Sequence, residues 1–195
     1  MTVVFSTWGR REPFDAGIPP ALPSDSRVRA LMGWNGIILQ DDSVDIVDMT
    51  REYAARARAE SCGQCFPCRM GTAEIADALE RLCAGQAGEK DIERIETLAR
   101  YVQESARCDI GKTSPRPILD ALEHYRDRFL SAVRAAKPRP PGSYVSQVTA
   151  PCMAACPARV DVPGYVERVR TDRWDEAFNL VMETCSLPGT IGRVC

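Results

Sequence analysis

A single histidine, His124, leaves this 195-residue chain without an imidazole pair, and no catalytic carboxylate pair stands in for one. With neither, no acid–base constellation can be drawn, and no catalytic residue is assigned. An excess of one charge is missing too. The 25 basic and 27 acidic residues are interleaved, for a net charge of −2. That balance gives no support for a nucleic-acid surface or a polybasic membrane patch. No apolar run approaches the roughly 20 residues that span a bilayer. The start, Met1 to Glu12, lacks the basic-then-apolar order of a signal peptide, so a cytosolic location is expected.

Cysteine is what the chain has in plenty, with nine residues. A disulfide scaffold would want an oxidising compartment, an even count and a shorter secreted chain. None of these holds, and cofactor ligation explains the excess better. The densest stretch is Ser61-Cys62-Gly63-Gln64-Cys65-Phe66-Pro67-Cys68-Arg69-Met70-Gly71. Thiolates suit zinc, copper(I) or iron–sulfur clusters. Paired C-x2-C knuckles grip one zinc ion. Three cysteines in C-x2-C-x2-C with a distant fourth, here Cys108, are the habit of [4Fe–4S] loops, where each thiolate takes a different iron.

Helical spacing supports that geometry. The pattern over Asp45–Glu60 is helical and delivers the chain to the cysteine loop. A second helix runs from Gly71 to Leu82 with Ile75, Leu79 and Leu82 on one face, and glycines near 85 end it. A third starts near Asp91, with Ile92, Ile95, Ala99 and Val102 as its stripe. These two antiparallel helices would return Cys108 to the neighbourhood of Cys62, Cys65 and Cys68. A fourth helix, from Pro115 or Pro117 to about Ala136, carries Ile118, Leu122, Tyr125, Phe129 and Val133.

Ahead of the helices, Val3-Val4-Phe5 reads as a short strand, Pro13 to Pro23 as a loop, and Gly33–Asp42 as a strand ending in an acidic turn. The glycines there precede a strand rather than open a helix, so they are structural rather than a dinucleotide fingerprint. Residues 1–48 thus form a strand and loop segment, 49–136 a four-helix domain, 137–149 a proline-rich linker, and 150–195 a second domain. In the last, Cys152-x3-Cys156-Pro157 has the form of the closing phrase of a ferredoxin run. Two short helices follow, one after Pro163 and one from Asp172. The fold class is mainly α: a small helical bundle with a short N-terminal β segment and a partial second helical domain.

The stretch from Glu60 to Gly71 resembles the iron–sulfur domain of the NADH-oxidising, flavin-bearing subunit of NADH:quinone oxidoreductase and of related hydrogenase and formate dehydrogenase subunits. Ser105-Ala106-Arg107-Cys108-Asp109-Ile110-Gly111 is similar to the segment with that family's fourth ligand. The resemblance covers roughly residues 33 to 130. It implies a [4Fe–4S] cluster on Cys62, Cys65, Cys68 and Cys108. Cys152-x3-Cys156-Pro157, Asp161-Val162-Pro163-Gly164-Tyr165 and Gly192-Arg193-Val194-Cys195 resemble the N-terminal iron–sulfur domain of the glutamate synthase small subunit and dihydropyrimidine dehydrogenase. That resemblance implies Cys152, Cys156 and Cys195 as ligands of a second, incomplete iron–sulfur region, since no C-x2-C precedes Cys152.

Joined in this order, the two modules are similar to beta subunits of NAD(P)-linked formate dehydrogenases. FMN or FAD and NAD(P) are then expected on other sequence or partner chains, beside a formate dehydrogenase- or hydrogenase-type catalytic subunit. The expectation is an electron-transfer module; a zinc-stapled interaction module without redox activity is the alternative. Cys83 reads as a buried thiol, Trp34 and Trp174 as core, and His124 as solvated in mid-helix. Cys185 could complete a set with Cys152, Cys156 and Cys195. Arg69 either sets positive charge beside the cluster or makes a surface salt bridge.

Overall fold

The computed structural model describes residues 3–6, 10–14, 30–33, 36–39, 43–107, 109–149 and 151–194, in two compact units, Met1–Val148 and Thr149–Cys195. The first unit packs a helical bundle on a small sheet. The strands are β1 (Val3–Ser6), β2 (Arg10–Phe14), β3 (Ala30–Gly33), β4 (Gly36–Leu39) and β5 (Val145–Gln147), in the order β2-β1-β4-β3-β5. β1 pairs antiparallel with β2 and β4, β3 pairs antiparallel with β4, and β5 joins β3 in parallel.

The expected single strand over Gly33–Asp42 is therefore a correction. Gly33 faces Gly36, so the chain reverses between them and the strand content is split across a hairpin. The acidic turn at 40–42 and Trp34 lie outside the described residues, as does most of the Pro13–Pro23 loop.

The helices of the first unit are α1 (Ile46–Glu60), α2 (Phe66–Cys83), α3 (Glu89–Ser105), α4 (Asp109–Thr113), α5 (Pro115–His124) and α6 (Arg126–Ala135). α1 starts at Asp45 because its carboxylate accepts the amides of Val47 at 3.1 Å and Asp48 at 3.4 Å. The stripes lie where the spacing puts them. Ile75, Leu79 and Leu82 of α2 and Ile92, Ile95, Ala99 and Val102 of α3 are buried against one another and against Tyr53 and Phe129.

The helix expected to run from Pro115 to Ala136 is broken at Tyr125, whose backbone (φ −120°, ψ 25°) leaves the helical region. No proline or glycine marks the break. The bend lets Ile118 and Leu122 pack with α3 while Phe129 and Ala132 reach the same core from α6.

The proline-rich segment is docked on this unit rather than free. Arg139 pairs with Asp45 and donates its amide to the Cys83 carbonyl at 2.9 Å. Gly142 donates its amide to the buried Asp48 carboxylate at 2.7 Å, and β5 follows directly.

The second unit is α7 (Pro151–Ala155), α8 (Val162–Arg170), α9 (Trp174–Met182) and α10 (Pro188–Val194). α8 and α9 pack together. The sequence pattern reveals α8 and α9 and misses the short α7 and α10, each of which opens on a proline. Among the described residues no helix is long and apolar enough to cross a membrane.

Candidate iron–sulfur centre

α1 ends at Ser61, whose extended backbone turns the chain out of the helix. Gly63 then takes φ +75°, a left-handed conformation that glycine adopts without strain. Cys65 is the N-cap of α2, with Pro67 in the first turn where its missing N–H costs nothing. This loop sets three thiols at three depths: Cys62 exposed, Cys65 half-buried and Cys68 buried on the first turn of α2. Local polar groups fix it. Ser61 Oγ lies 3.3 Å from Cys68 Sγ, and Thr72 Oγ1 donates to the Cys68 carbonyl at 2.7 Å. Arg69 Nη1 donates to the Gly63 carbonyl at 3.3 Å, bracing the turn across its mouth.

The other wall comes from the end of α3 and from α4. The backbone N–H of Arg107, aimed at Cys65 sulfur, holds that thiol below its ordinary range. The amides of Cys68 and Cys65 and the Arg107 charge add to this, while partial burial opposes it. Amides pointed at sulfur stabilise its anionic form, the form that ligates metal. Gly111 of α4 presses on the same site. A Cβ there would lie 2.3 Å from Ala106 Cβ and 3.5 Å from Cys68 Sγ, so only glycine allows α4 to sit this close.

Cys108 itself lies outside the described residues, but the Arg107 amide is turned to Cys65 sulfur, and a Cβ on Gly111 would lie 3.4 Å from Cys68 Cβ. Among the described residues, no three His, Cys, Asp or Glu side chains form a set for a single metal ion. The donor chemistry fits an iron–sulfur group: soft sulfur ligands, backbone amides turned toward sulfur, and burial that deepens from Cys62 to Cys68.

Ser61, Arg107 and Gly111 stand inside the motifs read from sequence, yet they carry no role there. Their contribution is a hydroxyl, a main-chain N–H and an absent Cβ, none of which spacing reveals.

In the second unit, Cys152 is exposed on α7 and Cys156 is half-buried just after it, with its amide on the Met153 carbonyl at 3.2 Å. The Asp161-Val162-Pro163-Gly164-Tyr165 motif is a helix start. Asp161 accepts the Gly164 amide at 2.8 Å through its carboxylate and the Tyr165 amide at 3.0 Å through its carbonyl. Cys185 is buried beyond the end of α9, and Cys195 lies outside the described residues.

The remaining single residues divide. Cys83 is buried, as expected, and burial pushes its thiol up to about 12. Trp174 is a correction: it is 61% exposed rather than core, because α9 turns only Ala177 fully inward. His124 is half-buried at the C-terminal end of α5 rather than solvated in mid-helix. Arg69 is exposed, and its guanidinium donates to the Gly63 carbonyl.

Residues 48–132 match the family model of the NADH-ubiquinone oxidoreductase-F iron-sulfur binding region. Residues 145–195 match that of dihydropyrimidine dehydrogenase domain II, 4Fe-4S cluster. Two iron–sulfur family models thus match successive stretches of this chain. Both resemblances read from the motifs are borne out, and the chemistry named by both decides for an iron–sulfur electron-transfer module over a zinc-stapled one.

The NADPH-Fe(3+) oxidoreductase subunit beta of Geobacter sulfurreducens is 37% identical over 99% of this chain and 30% of its own length. The NADP(+)-dependent formate dehydrogenase subunit beta of Moorella thermoacetica is 28% identical over 99% of this chain and 34% of its own. The chain thus spans about a third of the length of these relatives. Among solved structures, an air-oxidised NAD+-reducing [NiFe]-hydrogenase is similar with a TM-score of 0.48 and 28% identity, over 54% of this chain and 18% of that one.

Proposed function

We propose that this chain is an electron-relay part of an NAD(P)H-linked flavin oxidoreductase, with Cys62, Cys65, Cys68 and Cys108 as the ligands of a [4Fe–4S] cluster. The observation that carries the reading is the Arg107 amide on Cys65 sulfur, with Gly111 against Cys68. Together they set residues on either side of position 108 beside the three-cysteine loop. When bound, the cluster supplies one-electron chemistry at low proton cost. The protein's part is to hold the sulfurs, direct amides at them, and keep Cys68 from water. Cys152, Cys156 and Cys195 serve a second iron–sulfur region, with Cys185 as a further sulfur near the end of α9.

The relatives' names include NADPH, NADP(+) and formate dehydrogenase. In this reading flavin and NAD(P) lie outside these 195 residues, and the chain works beside a catalytic subunit of formate dehydrogenase or hydrogenase type in the cytosol. Residues 49–136 form the first cluster domain and 150–195 the second.

Anaerobic protein should take up about one electron per cluster from dithionite and return it to 1,4-benzoquinone, with reversible bleaching of its visible absorbance. Cys65→Ser should lose that cycle. A colourless protein that accepts no electrons would refute the reading.

A further inference from the structure

We infer that a small cavity behind Cys68 binds one water molecule. It is the middle link of a hydrogen-bond chain from Ser114, through the water and Thr72, to the Cys68 carbonyl. The water site stands on packing and polar chemistry alone, and its role beside Cys68 rests on the electron-transfer reading above.

The first observation is a hydroxyl out of pattern. Thr50 and Thr72, both buried, give their hydroxyls to the carbonyl four residues back, Ile46 and Cys68, each at 2.7 Å. Ser114 has the same opportunity. Its backbone is helical (φ −59°, ψ −30°), and its amide already bonds the Ile110 carbonyl at 3.0 Å. Yet Ser114 Oγ, on a residue only 1% exposed, has no partner among the described residues. Buried polar groups are nearly always hydrogen-bonded, because an unmet one keeps the full cost of leaving water.

The second observation is the space that Ser114 lines. It is a cavity of about 10 Å³, bounded also by Thr72 and by buried apolar walls that include Ala54, Ile75 and Ile118. That is room for about one water and too little for an organic ligand. Two of the lining groups are hydroxyls. Thr72 spends its proton on the Cys68 carbonyl and keeps its oxygen lone pairs, so it can accept from the water. Ser114 can donate to the same water. Dry cavities are apolar, whereas buried waters sit where two or more polar groups converge.

The third observation is position. Thr72 stands one turn beyond Cys68 on α2, and Ser114 is the corner between α4 and α5. The water therefore ties the turn that carries Cys68 to the end of the helix that brings Gly111 beside it. Hydrogen bonds in a chain polarise one another, so Ser114 acts on the Cys68 backbone through the water and Thr72. Ser114 is a positioning residue.

The test is a crystal structure of the anaerobically purified chain, with melting and iron release read on the same variants. One solvent peak is expected between Ser114 Oγ and Thr72 Oγ1. Ser114→Ala and Thr72→Val should each lose it, and Thr72→Ser, which keeps the hydroxyl, should retain it. Ser114→Ala should lower the melting temperature by about 2–4 °C, as losing one hydrogen bond does in a chain of this size. Made in Thr72→Val protein, the same change should cost less than about 1 °C, because the chain is already cut. Iron loss to EDTA should quicken about threefold or more in Ser114→Ala and keep its native rate in Thr72→Ser. A dry cavity with Ser114 Oγ on the Ile110 carbonyl, or a Ser114→Ala protein that melts no lower than native, would overturn the water site. The expected solvent peak with unchanged iron release would overturn its role at Cys68. A chain that binds no iron would bring down the relay reading and that role together, while the solvent peak is read independently of iron.

Discussion

The two units of this chain treat their apolar residues in opposite ways. In the first, the stripes of α1, α2, α3, α5 and α6 close on one core around Tyr53 and Phe129. In the second, Trp174, Phe178 and Met182 recur on one face of α9 and stand exposed, as do Leu187, Ile191 and Val194 on and before α10. Met153, Ala177 and Cys185 are its buried apolar residues among those described. Chains below roughly 40–60 residues rarely bury enough surface to hold a fold and lean on metals, disulfides or partners. The larger unit is held by packing, whereas the smaller one buries few apolar side chains of its own among the described residues.

The sharpest way to break that contrast is a pair of substitutions read by urea denaturation. Phe129→Ala should cost about 3–5 kcal/mol, because it empties the centre of a closed core. Trp174→Ala should stay within about 0.5 kcal/mol, as an exposed site does. A cost at Trp174 near that at Phe129 would mean that α9 is packed in solution.

Next in size is Gly111→Ala. Its Cβ would lie 2.3 Å from Ala106 Cβ, so α4 must shift away from the end of α3, beside Cys68. A loss of about 1–3 kcal/mol is expected, with lower iron content, read by melting and metal assay.

Asp45→Ala tests the docked proline-rich segment. It removes the α1 cap and the partner of Arg139 together, for about 1–2 kcal/mol, and should raise amide exchange at Arg139.

The smallest effect concerns Cys83. Burial raises its folded value to about 12 from an ordinary 9.0, so the neutral thiol is favoured by folding. That contribution is whole below pH 9, and fades as pH rises from there toward 12. Iodoacetamide at pH 8 should spare Cys83 in folded protein and alkylate it in urea, as peptide mass spectrometry will show.

What spacing could reveal follows the same division. The capped start of α1, the α2 and α3 stripes and the C-x2-C-x2-C loop were all legible, because each depends on neighbours in sequence. The break at Tyr125 was not, since no breaker residue stands there and tertiary packing alone bends the chain. The Gly33–Gly36 reversal hid inside an apolar run. Prolines 138, 140 and 141 read as a semi-rigid extended linker, because nothing in the segment announces that Asp45 and Asp48, far back in sequence, would hold it. Trp174 misled for the converse reason: an apolar stripe shows that a face wants cover, not that the described chain provides it. At the site, spacing named the sulfurs, while the Arg107 amide and the missing Gly111 side chain emerged only in three dimensions.

The most direct test is metal stoichiometry on anaerobically purified chain, with iron, acid-labile sulfide and zinc measured together in the native protein, Cys68→Ser and Cys156→Ser. The expected result is about four irons and four sulfides lost with Cys68→Ser but kept with Cys156→Ser, and no stoichiometric zinc. Zinc without sulfide, or an iron content unchanged by Cys68→Ser, would contradict a cluster at the three-cysteine loop.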